Sequence, residues 1–267
     1  MHVPTYIGQG LSGNPNVGSD LDGIFGGDAV VATRDFQWKA LTPIMLDMDG
    51  WGTLPKLPYA SGDPHTGICR MYLKLKSTLM PYLSTCAASA SCVEGWEGNE
   101  DRGLPMVRPV LLAGGAPGEK STEKYEFLLG DALLVAPVYR SARADAAGND
   151  VRGGIWLPGG PDDVWFDFFS GARLRGGQVL DGYERPLWKL PLFVRGGAIV
   201  PRWTAHNNPR PIGGLNPGGI DRTRLAVDFW PVEGESRYVA YEDDGRTFGG
   251  HVATGYACRV TAGETVL

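Results

Sequence analysis

At 267 residues, 43% of them hydrophobic, the chain is long enough for one large domain or two ordinary ones, with material for a real core. A net charge of −5 leaves no basic face for nucleic acid, and no apolar run reaches the ~20 residues needed to span a membrane. The 39 glycines follow no collagen period, so they mark turns and loops.

In chain order, residues 1–15 read as loop, broken by Pro4, Gly8, Gly10, Gly13 and Pro15. The start M-H-V-P-T-Y-I lacks the basic residues and apolar core of a leader peptide and reads as the interior of a domain. Val17–Asp20 predicts a short buried strand that ends on a carboxylate and enters the glycine turn D-L-D-G-I-F-G-G. A helix is expected from Thr33 to Ala40. Leu41–Leu46 then predicts a second strand, again running into carboxylates and glycine at Asp47-Met48-Asp49-Gly50-Trp51-Gly52. Two strand–turn units separated by a helix imply a β/α repeat with parallel strands.

Asp63–Ala90 carries apolar residues at Ile68, Met71, Tyr72, Leu75, Leu79, Tyr82, Leu83 and Cys86, the spacing of a helix, with Pro81 placed to kink or split it. After Gly95 the pattern changes to short apolar runs between Gly, Pro and Asp clusters: 106–112, 125–129, 132–139, 154–157, 164–168, 187–194 and 198–203. This is the pattern of an antiparallel β-sandwich. The stretch 206–219 is rich in Pro, Gly and Asn and reads as a linker or long loop. Runs at 224–231, 236–242 and 252–261 begin a further β-unit, with Asp243-Asp244-Gly245 as a hairpin turn.

The chemistry-bearing residues are four carboxylates at the two strand ends: Asp20, Asp22, Asp47 and Asp49. Carboxylates that converge on one mouth suit glycoside hydrolysis, which needs a carboxylic acid and a carboxylate beside the scissile bond. They equally suit hydroxyl binding, since a carboxylate accepts several hydrogen bonds. Asp beside Gly is also the ordinary composition of caps and turns. Trp51 adds an aromatic two positions after Asp49, either a sugar platform or core. His2, His65, His206 and His251 have no partner at metal or triad spacing, so structural or surface roles are expected; Cys69, Cys86, Cys92 and Cys258 show no metal pattern and read as free structural thiols, with a Cys86–Cys92 bridge open but not demanded. No motif calls for a metal or cofactor, and nothing in the residues fixes a compartment or an oligomeric state.

V-G-S-D-L-D-G-I-F-G-G at 17–27 resembles the G-x-D-I-G-G-F segment of family 31 glycoside hydrolases. Further matching pieces follow in order at 69–83, 103–109, 127–138, 156–160, 164–171, 190–201 and 241–245, so the resemblance covers nearly the whole chain. The form S-D-L-D-G-I-F-G-G with L-D-M-D-G-W-G looks most like the branch associated with α-N-acetylgalactosaminidase activity.

The resemblance implies the C-terminal end of a (β/α)8 barrel (1–104), a proximal β-sandwich (105–207), a linker (208–219) and the start of a distal β-sandwich (220–267). It implies a retaining α-glycosidase acting on a carbohydrate, with Asp20, Asp22, Asp49 and Trp51 at the sugar-binding end of the barrel. The family's nucleophile and acid/base carboxylates belong to motifs absent from these residues, so they are expected upstream and this chain is expected to be inactive alone. Met48 stands where most members carry a sugar-contacting His. The rival expectation is a short carbohydrate-binding or structural β protein that uses Trp156, Trp165 and Trp188 as glycan contacts.

Overall fold

The structure is a computed structural model. It describes residues 2–21, 28–48, 59–139, 144–205, 223–247, 249–262 and 264–267. The chain forms two compact units, Met1–Tyr72 with Pro105–Gly196 and Leu73–Leu104 with Gly197–Leu267.

The first unit opens with a helix where a loop was expected, α1 (Val3–Leu11). Pro4 sits in its first turn, where no backbone N–H is needed. Gly10 acts in packing rather than as a breaker: a Cβ there would lie 2.8 Å from the Val107 carbonyl oxygen, so only glycine permits the contact. Strand β1 (Gly18–Asp20) follows, then α2 (Ala29–Lys39) and β2 (Ile44–Leu46). α2 begins four residues before the expected Thr33, because Asp28 is its N-cap and accepts the Val30 and Val31 amides at 2.8 and 3.0 Å.

The long periodic stretch does split near Pro81, into α3 (His65–Thr78) and α4 (Met80–Ala90). β3 (Val107–Arg108) is shorter than its apolar run, which continues as a 3-10 turn over Val110–Ala113. The next strands are β4 (Phe127–Leu129), β5 (Leu133–Val135), β6 (Asp150–Arg152), β7 (Ile155–Leu157), β8 (Val164–Asp167), β9 (Arg173–Arg175), β10 (Gln178–Leu180), β11 (Tyr183–Arg185) and β12 (Leu192–Arg195). Five of them join β3 in an antiparallel sheet of order β3-β4-β5-β12-β8-β9, and β7–β10 and β6–β11 form antiparallel pairs. Leu128, Leu134, Ile155, Trp156, Trp165 and Phe193 meet in one buried cluster.

Two charged pairs lie within this apolar material. Asp150 and Arg185 stand opposite one another on β6 and β11 with an ion pair of 2.7 Å. Glu126 accepts from Arg152 Nη2 at 3.1 Å and from the Trp156 amide at 3.1 Å. Burial pushes the Glu126 carboxyl up to about 7, against the pull of Arg152 and of that amide.

The segment 185–190 has its own supports. Arg34, buried on α2, donates to the carbonyls of Lys189 (3.0 Å), Gly148 (2.9 Å), Arg185 (3.1 Å) and Pro186 (3.3 Å). Gln37 Nε2 donates to Leu187 O at 2.6 Å, and Asn149 Oδ1 accepts the Leu187 amide at 2.9 Å. Tyr72 OH donates to Trp188 O at 2.9 Å and accepts the Leu190 amide at 2.8 Å.

In the second unit α4 packs on the strands β13 (Ile199–Trp203), β14 (Leu225–Phe229), β15 (Gly234–Asp243), β16 (His251–Thr261) and β17 (Glu264–Val266), contacting β13 and β15 directly. β13 pairs with β14, and β15, β16 and β17 form a three-stranded antiparallel sheet. Asn99 acts as a one-residue extension of that sheet, accepting the Val239 amide at 2.8 Å and donating to its carbonyl at 3.0 Å. The expected tight hairpin at Asp243-Asp244-Gly245 is a wider loop. Asp243 pairs with His251, and Asp243 and Asp244 accept loop amides from Gly245, Arg246 and Thr247. The linker expected at 206–219 lies outside the described residues.

Replacing Arg34 with Ala removes one cation but strands several buried carbonyls, each costing on the order of 1–3 kcal/mol. Urea unfolding of Arg34→Ala should therefore show a loss of about 3 kcal/mol or more, whereas a loss below 1 kcal/mol would mean the carbonyls find other donors. A second expectation concerns pH. Burial alone would raise the Asp167 carboxyl, but hydrogen bonds from Tyr183, the Ser170 amide and Lys189 hold it below its ordinary value. A depressed native pKa stabilises the fold above the unfolded value and loses that contribution as pH falls through the native one. The stability gap between wild type and Asp167→Asn should thus be widest near neutrality and shrink below about pH 4. A gap constant over pH 3–7 would show that the charge contributes nothing.

Candidate functional site at the strand ends

β1 and β2 are parallel, with Gly18 opposite Ile44, Ser19 opposite Met45 and Asp20 opposite Leu46. They approach closely only because residue 18 has no side chain: a Cβ there would sit 2.3 Å from Ile44 O. Side chains alternate along a strand, so Ser19 and Asp20 face opposite ways. Ser19 Oγ accepts from Tyr6 OH at 2.6 Å, which ties that face to α1.

Asp20 is fixed by its backbone rather than by its carboxylate. Its carbonyl accepts Lys39 Nζ at 2.5 Å, and the same ammonium contacts Asp35 Oδ2 at 2.5 Å. Lys39 is buried, Trp38 Nε1 donates to Asp35 Oδ1 at 3.0 Å, and the ammonium lies 5.5 Å from the Trp38 ring centroid. The Asp20 side chain is left over: Oδ1 is buried and has no hydrogen-bond partner among the described residues. A buried carboxylate oxygen without a donor is costly, so the position favours any ligand that brings a hydroxyl.

β2 ends at Leu46, which places Asp47 and Met48 on the neighbouring strand's exit, both exposed. Burial, with a smaller push from Asp47, raises the Cys69 thiol to about 11, which disfavours the reactive thiolate. Of the expected site residues, Asp20 is thus at a strand end with an open acceptor. Asp22, Asp49 and Trp51 lie outside the described residues.

Of the other candidates, His65 and His251 have partners within the fold, and His206 lies outside the described residues. His65 Nδ1 pairs with Thr33 Oγ1 at 2.7 Å, and His251 stacks on Tyr241. All four cysteines are unbridged, three of them buried and Cys92 exposed. Among the described residues no group of three or more His, Cys, Asp or Glu could hold a metal. The three tryptophans of the rival reading divide: Trp156 and Trp165 are core, and Trp188 is exposed. Lys39 and Asp35 were missed from the sequence. Their i, i+4 spacing was visible, but their burial beside a strand end was not.

The parallel strands ending in an open carboxylate and the antiparallel sheet downstream are each matched by a family description. Residues 1–86 match the TIM-barrel domain of glycosyl hydrolases family 31, and residues 103–200 match the family 31 C-terminal domain. The chain belongs to glycosyl hydrolase family 31. Its relatives include an α-xylosidase of Saccharolobus solfataricus, 24% identical over 92% of this chain, and α-glucosidase 2 of Bacillus thermoamyloliquefaciens, 27% over 93%. Human neutral α-glucosidase AB is 30% identical over 92%. The chain spans only 30%, 28% and 24% of those three proteins. Among solved structures, a family 31 dextranase of Flavobacterium johnsoniae in complex with glucose superposes with a TM-score of 0.74 at 25% identity, covering 97% of this chain and 30% of that one. The named relatives are an α-xylosidase and α-glucosidases, so the family stands without the narrower N-acetylgalactosaminidase branch.

Lys39→Met would leave Asp35 facing an apolar side chain and free the Asp20 carbonyl. Breaking such a pair costs about 3–5 kcal/mol when fully buried. Asp35 keeps some contact with water, so thermal or urea unfolding should show a loss toward the lower end. An unchanged midpoint would remove Lys39 as the anchor of the strand end.

Proposed function

We propose that this chain supplies the last β/α units of a (β/α)8 barrel, a proximal β-sandwich and the start of a distal one to a retaining α-glycosidase. Its substrate is a terminal α-linked sugar, either an α-N-acetylgalactosaminide or an α-hexoside. The observation that carries this reading is the in-register parallel pair β1–β2, which ends at Asp20 with an unpartnered buried oxygen. In β/α barrels the C-terminal ends of the strands are where substrates are held. Parallel strands also occur almost only in sheets covered on both faces, yet Ile44 and Leu46 are 40% and 50% exposed. Such a pair is what a segment of a larger barrel would present.

In this reading Asp20, Asp22, Asp49 and Trp51 line the pocket of the terminal sugar. Asp20 accepts hydroxyl hydrogens, its register set by Gly18 and its carbonyl by Lys39. Retention requires two carboxyl groups roughly 5–5.5 Å apart, one as nucleophile and one as acid/base. We assign neither role to a residue of this chain, because the family motifs that carry them are not among its residues. Met48 in place of a polar sugar contact argues for a pocket unlike that of an ordinary α-glucosidase, which is the support for the N-acetylhexosamine alternative. Boundaries near residues 104 and 207 go with this proposal, as do a carbohydrate ligand and the lack of any nucleic-acid or membrane partner.

The test is release of p-nitrophenol from aryl α-glycosides. The purified 267-residue chain should show no turnover above the uncatalysed rate. The same chain within a polypeptide that carries the two family carboxylate motifs should turn over, and Asp20→Ala there should lower kcat/KM by about 100-fold, the loss of charge-assisted hydroxyl bonds worth roughly 2–3 kcal/mol. Robust turnover by the isolated chain would defeat the assignment of the chemistry to other residues.

A further inference from the structure

The β15-β16-β17 sheet has two edges, and they differ. On the β15 side Asn99 accepts the Val239 amide and donates to its carbonyl, and Thr85 Oγ1 accepts the Tyr241 amide at 3.0 Å. Val239 and Tyr241 therefore turn their backbone groups away from β16. In an antiparallel pair, residues directly opposite one another exchange both hydrogen bonds or neither. Gly255 stands opposite Val239 and Ala253 opposite Tyr241, so these two also direct N–H and C=O away from β15. The alternation extends the pattern to His251 and Ala257 on either side.

Those outward backbone groups of β16 find no hydrogen-bond partner among the described residues. β17 covers only one end of the strand, pairing Glu264–Val266 with Thr261, Val260 and Arg259. Ala253, Gly255 and Ala257 are exposed, and residues 252–258 contain neither a charge nor a proline to discourage a further strand. The apolar face of the sheet is left unfinished at the same edge. Tyr238 stacks on Tyr82 of α4, and Ala240 and Cys258 are buried. Along β16 that face runs on through Tyr256 and Thr254 to Val252, which is 62% exposed.

We propose that the open edge of β16 is the docking site of the polypeptide that follows Leu267 in the larger α-glycosidase, which continues β17 antiparallel along β16. This rests on the reading above, in which 220–267 begins a distal β-sandwich. The register is set by β17. Val266 lies opposite Arg259, and each further residue moves one place back along β16. Eight such steps reach His251, so the seventh residue past Leu267 falls opposite it. The second, fourth and sixth residues past Leu267 fall opposite Tyr256, Thr254 and Val252, on the face that packs on α4, and are apolar. A second copy of this chain offers the same backbone groups. It would lose translational and rotational freedom on docking, and its strand would have to stop short of Leu267. A continuation of β17 is already tethered and aligned by the turn after Thr261, which selects it as the occupant.

The experiment is amide hydrogen exchange, followed by NMR, on the 267-residue chain and on the longer polypeptide that continues past Leu267. In the isolated chain the Ala253, Gly255 and Ala257 amides should exchange like those of an unstructured peptide, while the Thr254, Tyr256 and Cys258 amides, which face β15, are protected. In the longer polypeptide the three outward amides should exchange more slowly by about tenfold or more, at any protein concentration. Should that polypeptide not fold, the chain extended past Leu267 by Thr-Val-Thr-Val-Thr-Val-Thr takes its place and should show the same protection. Outward amides that stay fast in the extended protein, or that are already protected in the isolated chain, would overturn the proposal. Protection that grows with concentration, alongside a dimer in sedimentation, would assign the edge to a second copy and overturn it as well. Exchange is read without substrate, so a failed hydrolysis test leaves the edge result standing, and an unprotected edge leaves the glycosidase reading untouched.

Discussion

The buried guanidinium of Arg34 is the interaction on which the first unit depends. Among the described residues no carboxylate pairs with it directly; four backbone carbonyls from Gly148 and the segment 185–189 converge on it instead. Desolvation lowers its pKa to about 10, still far above physiological pH, so the cation persists. The consequence is structural reach. A helix from the barrel-like part of the sequence and loops between β-strands more than a hundred residues later are fixed by one side chain. Gln37, Asn149 and Tyr72 complete the set, so most polar backbone groups of 187–190 find a partner without a strand beside them.

The strand-end site follows a related logic at shorter range. Lys39 directs its charge to a carbonyl and to Asp35, and so positions Asp20 while Asp20 Oδ1 has no hydrogen-bond partner among the described residues. A cation placed against the carboxylate itself would have satisfied it and removed its capacity for a ligand. The absence of a side chain at residue 18 lets β2 approach closely enough for the parallel register. A hydroxyl-binding carboxylate requires support from behind and a free acceptor oxygen.

Local sequence signals located most of the elements. Apolar periodicity found α3 and α4 and Pro81 marked the division between them, because helix period and proline geometry act within a few residues. Short apolar runs found β4, β5, β7, β8, β12 and β13 for the same reason. The failures share one cause. Residues 3–11 looked like loop because Gly8 and Gly10 are poor helix formers, yet Gly10 is there to let the helix approach Val107. Thr33 looked like a helix start, but Asp28, hidden in the glycine-rich turn, caps α2. Trp156 and Trp165 looked like possible glycan contacts, and only the packing of sheet against sheet buries them.

By itself the sequence determined the family, the alternation of strand, helix and acidic turn in the first fifty residues, and the change to β-structure after residue 100. Those properties are written in residue order and spacing. Only the tertiary structure decided that Arg34 would be an internal anchor, that Lys39 would hold a carbonyl rather than a carboxylate, and that one tryptophan of three would face water. Each depends on desolvation by residues distant in sequence, and desolvation is a property of the folded chain and not of any local pattern.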